Sequence, residues 1–228
     1  MPVSEVEMTS RNEPPAGASI RRGYPVNEYA FLLLVKRAID LVGSAILILL
    51  LSPVFLVLAI LVLLDDGPPI IHRRRVVGRH GEFDAFKIRT MRRDADAILN
   101  SNPELKAEFE RNFKLKNDPR LTKTGSVLRK LSLDELPQLF NIFAGQMSFV
   151  GPRMITAAEL EKYGPYKSLV LRVKPGLTGY WQISGRQEVS YDERVKMDVH
   201  YIENWSLGLD MLILLRTPFK VLRREGAY

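Results

Sequence analysis

LRKLSLDELPQLFNIFAGQMSFVGPR, residues 128–153, decides how the rest of the chain is read. The adjacent acids Asp134 and Glu135 stand at its centre. From there Leu136, Leu139, Phe140 and Phe143 repeat at helical spacing. Pro137 suits a helix only in the first turn, where its missing N–H is no loss. The spacing therefore predicts a helix that opens close to Asp134 and stops at Gly145. Both carboxylates would then lie at a helix N-terminus, where free N–H groups and the dipole favour negative charge and also suit phosphate. Arg129 and Lys130 lie just upstream and Arg153 just downstream. Acids that can hold a metal or attack phosphorus, ringed by arginines, point to a phosphorylated substrate. A plainer reading uses the same letters: Ser132-x-x-Glu135 is a capping box and Asp134 an N-cap.

Upstream, Leu41–Leu64 is a run of 24 residues without a charge. A straight helix of that length would reach about 36 Å, enough to cross a bilayer. Ser52–Pro53 interrupts it near the midpoint, and a mid-helix proline breaks or kinks. Each half is too short to cross alone. Both flanks are basic: Arg21, Arg22, Lys36 and Arg37 before, Arg73, Arg74, Arg75 and Arg79 after. Basic flanks favour the cytoplasmic side, and here both ends ask for it. A helix-break-helix that dips into one leaflet and returns meets both conditions, with the Ser52 hydroxyl serving carbonyls freed at the break. An ordinary kinked span is the alternative.

The remaining segments follow from local chemistry. Residues 1–29 are polar and rich in Gly and Pro and read as a mobile tail. Ile70–Val77 and Phe83–Thr90 read as strands joined by Gly78-Arg79-His80-Gly81, a β-hairpin. Strand alternation would put Lys87 and Arg89 on one face, a pair of cations suited to an anion or simply a solvated face. Residues 92–101 and 104–116 read as helices separated by Pro103, with Leu105, Phe109 and Phe113 as an apolar stripe facing a core or a membrane surface. Asn117-Asp118-Pro119-Arg120 is turn chemistry, with Asp118 structural. Thr156-x-x-Glu159 and Ser190-x-x-Glu193 are capping boxes opening helices, the second with Tyr191, Val195, Val199 and Ile202 on its buried stripe. Residues 174–179 form a loop, and Tyr180–Ile183 suggests a strand. Leu207–Leu215, led by Trp205 and ended by Arg216-Thr217-Pro218, is too short to span and reads as an interfacial or core helix.

With 228 residues the chain suffices for one domain and an appendage, and its formal charge is +7. There is no cysteine, which excludes disulfides and thiolate metal sites. The three histidines lack zinc-site spacing, and neither a P-loop nor G-x-G-x-x-G is present. The basic charge allows anionic lipid, phosphorylated substrates or nucleic acid. A membrane-anchored basic scaffold would account for the charge and the apolar run, but would have no need of the acid pair.

Six motifs in order resemble one family, the bacterial monotopic phosphoglycosyl transferases, or bacterial sugar transferases. They are LSP at 51–53, FKIRTM at 86–91, NDPRLTKTG at 117–125, LRKLSLDELPQLFNI at 128–142, MSFVGPR at 147–153 and KPGLTGYWQISGR at 174–186. The resemblance covers residues 30–228, in a short, exopolysaccharide-type form. It implies an α+β, mainly helical monotopic membrane protein, with a re-entrant helix over 30–66 broken at Ser52 and Pro53, interfacial amphipathic helices and a small hairpin. Residues 67–228 would be the catalytic domain on the cytoplasmic face of the bacterial inner membrane. The implied reaction moves a sugar-1-phosphate from a UDP-sugar (UDP-galactose or UDP-glucose) to undecaprenyl phosphate and releases UMP. It is the first membrane step of exopolysaccharide or O-antigen assembly. By resemblance Asp134 is the nucleophile and Glu135 a Mg²⁺ ligand, while Arg129, Arg153, Lys87 and Arg89 bind phosphate. Membrane lipid is an implied partner, nucleic acid is not, and a homodimer is compatible with the family. Two departures stand out. Met154 follows Arg153 where the family often has proline, and Ile88 replaces phenylalanine in KFRTM.

Overall fold

The computed structural model describes residues 26–112, 115, 118–184 and 190–222. Residues 1–25, Phe113, Asn117 and the Gly185–Arg186 end of the last motif lie outside that set. The protein is α+β and mainly helical, as its sequence predicts, with two small two-stranded sheets among the described residues.

Helix α1 runs Val26–Leu50 and α2 Ser52–Asp66. Helix therefore starts four residues inside the expected tail, because Tyr29, Leu32 and Leu33 pack on the main core. The two helices bend by 61° at Leu51. The break lies where expected: Pro53 is in the first turn of α2, and the Ser52 hydroxyl donates to Leu49 O at 2.8 Å. No single described helix is long and apolar enough to cross a membrane; the bent pair together passes that test.

The hairpin pairs β1 (Ile71–Gly78) with β2 (Gly81–Ile88), Ile71 opposite Ile88 and Gly78 opposite Gly81. Gly81, at φ +105°, takes the turn conformation that a side chain would resist. Helices α3 (Ala95–Asn100) and α4 (Pro103–Asn112) follow, with Pro103 in the first turn. Helix α5 covers Lys123–Lys130, capped by the Thr122 side chain, which accepts from Gly125 N–H.

The segment after α5 departs from expectation. The sequence predicts an α-helix that opens close to Asp134. The chain instead turns at Ser132, in left-handed conformation (φ +55°), and makes one 3-10 turn, Leu133–Glu135. Helix α6 begins only at Gln138 and ends at Phe143, with Gly145 at φ +81° beyond it. Pro137 explains the delay: lacking an N–H, it fits at the helix cap but not inside. The capping-box reading fails as well. Ser132 makes no side-chain cap bond, and the Glu135 carboxylate is held elsewhere.

Strand β3 (Ser148–Val150) pairs in parallel with β4 (Gly176–Thr178); β4 falls in the expected 174–179 loop, and β3 in a stretch with no expected element. Helix α7 (Ala157–Leu160) and α8 (Lys167–Val170) lie between them. Tyr180–Ser184 is helix α9, not a strand. Both predicted capping boxes form, at Thr156–Glu159 and at Ser190–Glu193, the latter opening α10 (Tyr191–Glu203). Helix α11 runs Leu207–Leu222, straight through the predicted stop at Pro218. The Thr217 hydroxyl donates to Ile213 O at 2.7 Å, adding a local bond one residue before the proline.

Three apolar clusters hold these elements together. The largest joins β3 to α8, α10 and α11 through Val150, Leu169, Ile202 and Ile213. A second packs the hairpin (Val76, Phe83, Ala85) on α6 (Leu139, Ile142). The third docks α2 (Leu58, Val62) on Ile88 and Leu128. Each such buried Val, Leu, Ile or Phe side chain contributes about 1.5–3 kcal/mol. They hold β2, α5 and α6 in mutual register, and these elements surround the acid pair.

Candidate active site

The 3-10 turn places Asp134 and Glu135 between β2 and α5. Asp134 is 7% exposed. Burial pushes its pKa up to about 6, and the Glu135 charge adds to this, while Lys87 and Arg129 pull it back. Glu135 is crowded by protein yet 33% of its side chain meets solvent. Lys87 Nζ donates to Glu135 Oε1 at 2.6 Å. Burial works against that carboxylate's charge. The Lys87 ammonium, then Arg153 and Arg74, outweigh it and hold Glu135 below the usual range. The two acids thus have opposite shifts from one turn of chain, a pattern frequent at catalytic sites.

Four expected residues converge here: Asp134, Glu135, Lys87 and Arg129. Arg129 comes from the last turn of α5, its Nε donating to Thr90 Oγ1 at 2.9 Å. Burial draws its pKa down, and the Asp134 charge offsets this. Arg153 follows β3 and reaches the pair electrostatically through Glu135. Its guanidinium packs over the Trp181 ring, 5.0 Å from the centroid.

Arg89 is not brought to the pair. Strand β2 ends at Ile88, so the alternation that should align Arg89 with Lys87 stops one residue early. Its buried guanidinium turns to the C-terminal end of α2, donating to the Asp66 carboxylate, the Asp66 and Gly67 carbonyls, and Pro69 O at 2.7 Å. It ties the apolar helix pair to the hairpin.

Several contributors were invisible as site residues. Arg74, read only as a basic flank, pairs with Glu159 at 2.7 Å and acts on Glu135. Glu159 was legible only as a cap. Asp118 is structural, as expected: it grips the Arg120 guanidinium at 2.8 and 2.7 Å, and both charges act on Arg129. Asp198, on α10, is 1% exposed and accepts from Tyr163 Oη at 2.7 Å and from the Arg153 N–H at 3.4 Å. Burial lifts its pKa to about 7. The only sequence signal for Asp198 was an acid beside the apolar stripe of an amphipathic helix.

Among the described residues no group of three or more His, Asp or Glu side chains could cage a metal. Mg²⁺ does not require one; it commonly takes one or two carboxylates and completes its shell with water and substrate phosphates. The Glu135 carboxylate, one-third exposed and adjacent in sequence to Asp134, fits such an ion through the oxygen not bound to Lys87.

The acid turn is ringed by Lys87, Arg129 and Arg153 and stands on a body joined to a bent apolar helix pair. The bacterial sugar transferase family model matches residues 31–224, and the chain belongs to that family. Relatives at 47% identity include the undecaprenyl-phosphate galactose phosphotransferase of Salmonella typhimurium, aligned over 85% of this chain and 42% of its own length. The exopolysaccharide production protein ExoY of Rhizobium meliloti is 45% identical over 86% of this chain and 88% of its own. The UDP-glucose:undecaprenyl-phosphate glucose-1-phosphate transferase of Escherichia coli is 38% identical over 86% and 42%. The chain therefore spans about two fifths of the Salmonella and E. coli proteins and most of ExoY.

Proposed function

We propose that this chain transfers a hexose 1-phosphate from a UDP-sugar, UDP-galactose or UDP-glucose, to undecaprenyl phosphate, with UMP as the other product. The observation that carries the reading is the buried Asp134 beside the Lys87-bound Glu135. The names of the relatives supply the donor and acceptor classes. Lys87, Arg129 and Arg153 offset the diphosphate charge that would otherwise repel a carboxylate. Asp134 attacks the sugar-bearing phosphorus. The bond from that phosphorus to the bridging oxygen breaks, and UMP leaves with the electron pair. The resulting aspartyl phosphosugar splits one hard displacement into two. An oxygen of undecaprenyl phosphate then attacks the same phosphorus and releases the Asp134 carboxylate. Glu135 would hold Mg²⁺, which when bound adds neutralising charge on the diphosphate.

The acceptor is lipid-borne, so the site must lie at a membrane, and the bent helices support a re-entrant anchor. Both arms are tied to the same globular body. On α1, Lys36 pairs with Asp210 at 2.5 Å, and Arg37 donates to Ile142 O and Phe143 O at 2.8 and 2.9 Å. On α2, Arg89 holds Asp66, and Asp65 accepts from Thr124 N–H at 3.0 Å. Two arms fastened to one body enter and leave on one side. Leu41–Leu50 rises about 15 Å and α2 about 22 Å, short of a hydrocarbon core about 30 Å thick. The basic flanks favour the cytoplasmic face for that side.

The test supplies purified chain with UDP-sugars and undecaprenyl phosphate and measures UMP. Wild type should release it and Asp134→Asn should not. Radiolabelled donor without acceptor should leave sugar phosphate on wild type alone. Turnover by Asp134→Asn would remove Asp134 as the nucleophile. Transfer without any trapped adduct would favour direct displacement with Asp134 as a base.

A further inference from the structure

Around Arg153, four buried polar atoms lack a hydrogen-bond partner among the described residues. They are Arg153 Nε, Arg194 Nε, Trp181 Nε1 and Gln182 Oε1. Buried polar groups are rarely left so, and here they come from one neighbourhood. Arg153 follows β3, Trp181 and Gln182 lie on α9, and Arg194 is on α10. Both guanidiniums pack against the Trp181 ring, Arg153 at 5.0 Å and Arg194 at 4.8 Å from its centroid. Arg194 also lies 5.6 Å from the Tyr191 centroid. Two cations sharing one ring repel each other, and the nearby acids are committed elsewhere. Asp198 accepts from Tyr163 Oη and the Arg153 backbone, and Glu159 pairs with Arg74. Three unused donors beside two crowded cations suit the oxygens of a phosphate. Gln182 Oε1 is an acceptor and suits an N–H or O–H donor on the same ligand.

Cationic charge reaches the acid turn from β2 (Lys87, which acts on both acids), from α5 (Arg129) and from the segment after β3 (Arg153). A nucleoside diphosphate sugar carries two phosphates, and the transferred one must sit at Asp134. We propose that Arg194, together with Arg153 and the Trp181 indole, cradles the other phosphate, the one that departs with the nucleoside. This rests on the transfer reading above. Arg194 is then a donor-binding residue.

Equilibrium binding of UDP and of uridine to the full chain in lipid nanodiscs tests it. Arg194→Gln should weaken UDP about tenfold or more while leaving uridine unchanged. Arg194→Lys should fall between, since it keeps the charge and loses the fork. UDP affinity equal to wild type in Arg194→Gln would overturn the proposal. So would an equal loss of UDP and uridine, the mark of a deformed pocket. If Arg194→Gln shows no cooperative melt, Arg194→Lys decides, and wild-type UDP affinity in that variant overturns the cradle. A wild type with Arg194-dependent UDP binding that releases no UMP from any UDP-sugar overturns the transfer reading and leaves the cradle standing.

Discussion

Lys87 is the residue on which the charge state of the acid turn depends most. It donates to Glu135 and is the largest cationic influence on both acids. Lys87→Met should lower the rate of UMP release about 100-fold or more while keeping a cooperative melt, because a preorganised charge is lost with little packing change. A rate within fivefold of wild type would count against its role. Asp198 makes a separate prediction. Its folded pKa, about 7, lies above the ordinary 3.8, so the folded chain retains a proton that the unfolded chain sheds in between. The stability from this source is complete below pH about 4 and is lost as pH rises through 7. The wild-type melting temperature should fall across that window, and Asp198→Asn should flatten the fall. At this scale the sequence was legible where chemistry is contiguous: Asp134, Glu135, Arg129 and Lys87 sit in motifs that announce their charges. Arg89 misled because strand alternation was extended one residue too far. Arg194 and Asp198 were hidden because nothing along the chain shows that α10 folds back beside Arg153.

Among the elements, the break at Ser52–Pro53 and both capping boxes were readable because each depends on a few adjacent side chains. The 3-10 turn at the acids was not. Its geometry comes from a left-handed Ser132 and a proline three residues after Asp134, not from periodicity. Strands β3 and β4 were missed because a three-residue strand has no period to detect, and their pairing is set by chain distant in sequence. The attachment of α1 was likewise unreadable. Asp40 accepts from Ser148 Oγ and Phe149 N–H at 3.0 and 2.9 Å. Lys36 meets an Asp210 that also accepts from Tyr201 and Trp205. Asp210→Ala should cost about 3–5 kcal/mol by denaturant unfolding, since it removes the counter-charge of the Lys36 ammonium and the acceptor of the buried Trp205 N–H, leaving Lys36 and Tyr201 only the Val150 carbonyl. A cost under about 1 kcal/mol would mean that the pair is solvated.

For the whole molecule, the exposed apolar side chains are not confined to the bent pair. Phe140 and Phe143 on α6 join Met211, Leu212, Leu215 and Phe219 on α11, the last two 65% and 67% exposed. Such surface suits a lipid interface. Serine at Phe140, Phe143, Leu215 and Phe219 together should reduce co-sedimentation with anionic vesicles while preserving the melt; unchanged sedimentation would leave the bent pair as the sole contact. The chain has no cysteine, so single cysteines at Asn27 and Arg93 can be labelled without background. Both should react from the same side of a sealed vesicle. Pro53→Ala, by permitting a straighter helix, should move some molecules to opposite-side labelling.

Lys87 and Arg89 are two positions apart on one short stretch of backbone, the first gripping the acid turn and the second gripping the end of the greasy arm. That stretch works as a ruler about 7 Å long. It links the end of the bent helix pair, through Arg89 and Asp66, to the acid turn, through Lys87 and Glu135. Inserting a single residue at position 88 should therefore uncouple the two ends. On the proposed transfer reading, such an insertion should leave binding of the water-borne donor intact while slowing transfer to the oily acceptor.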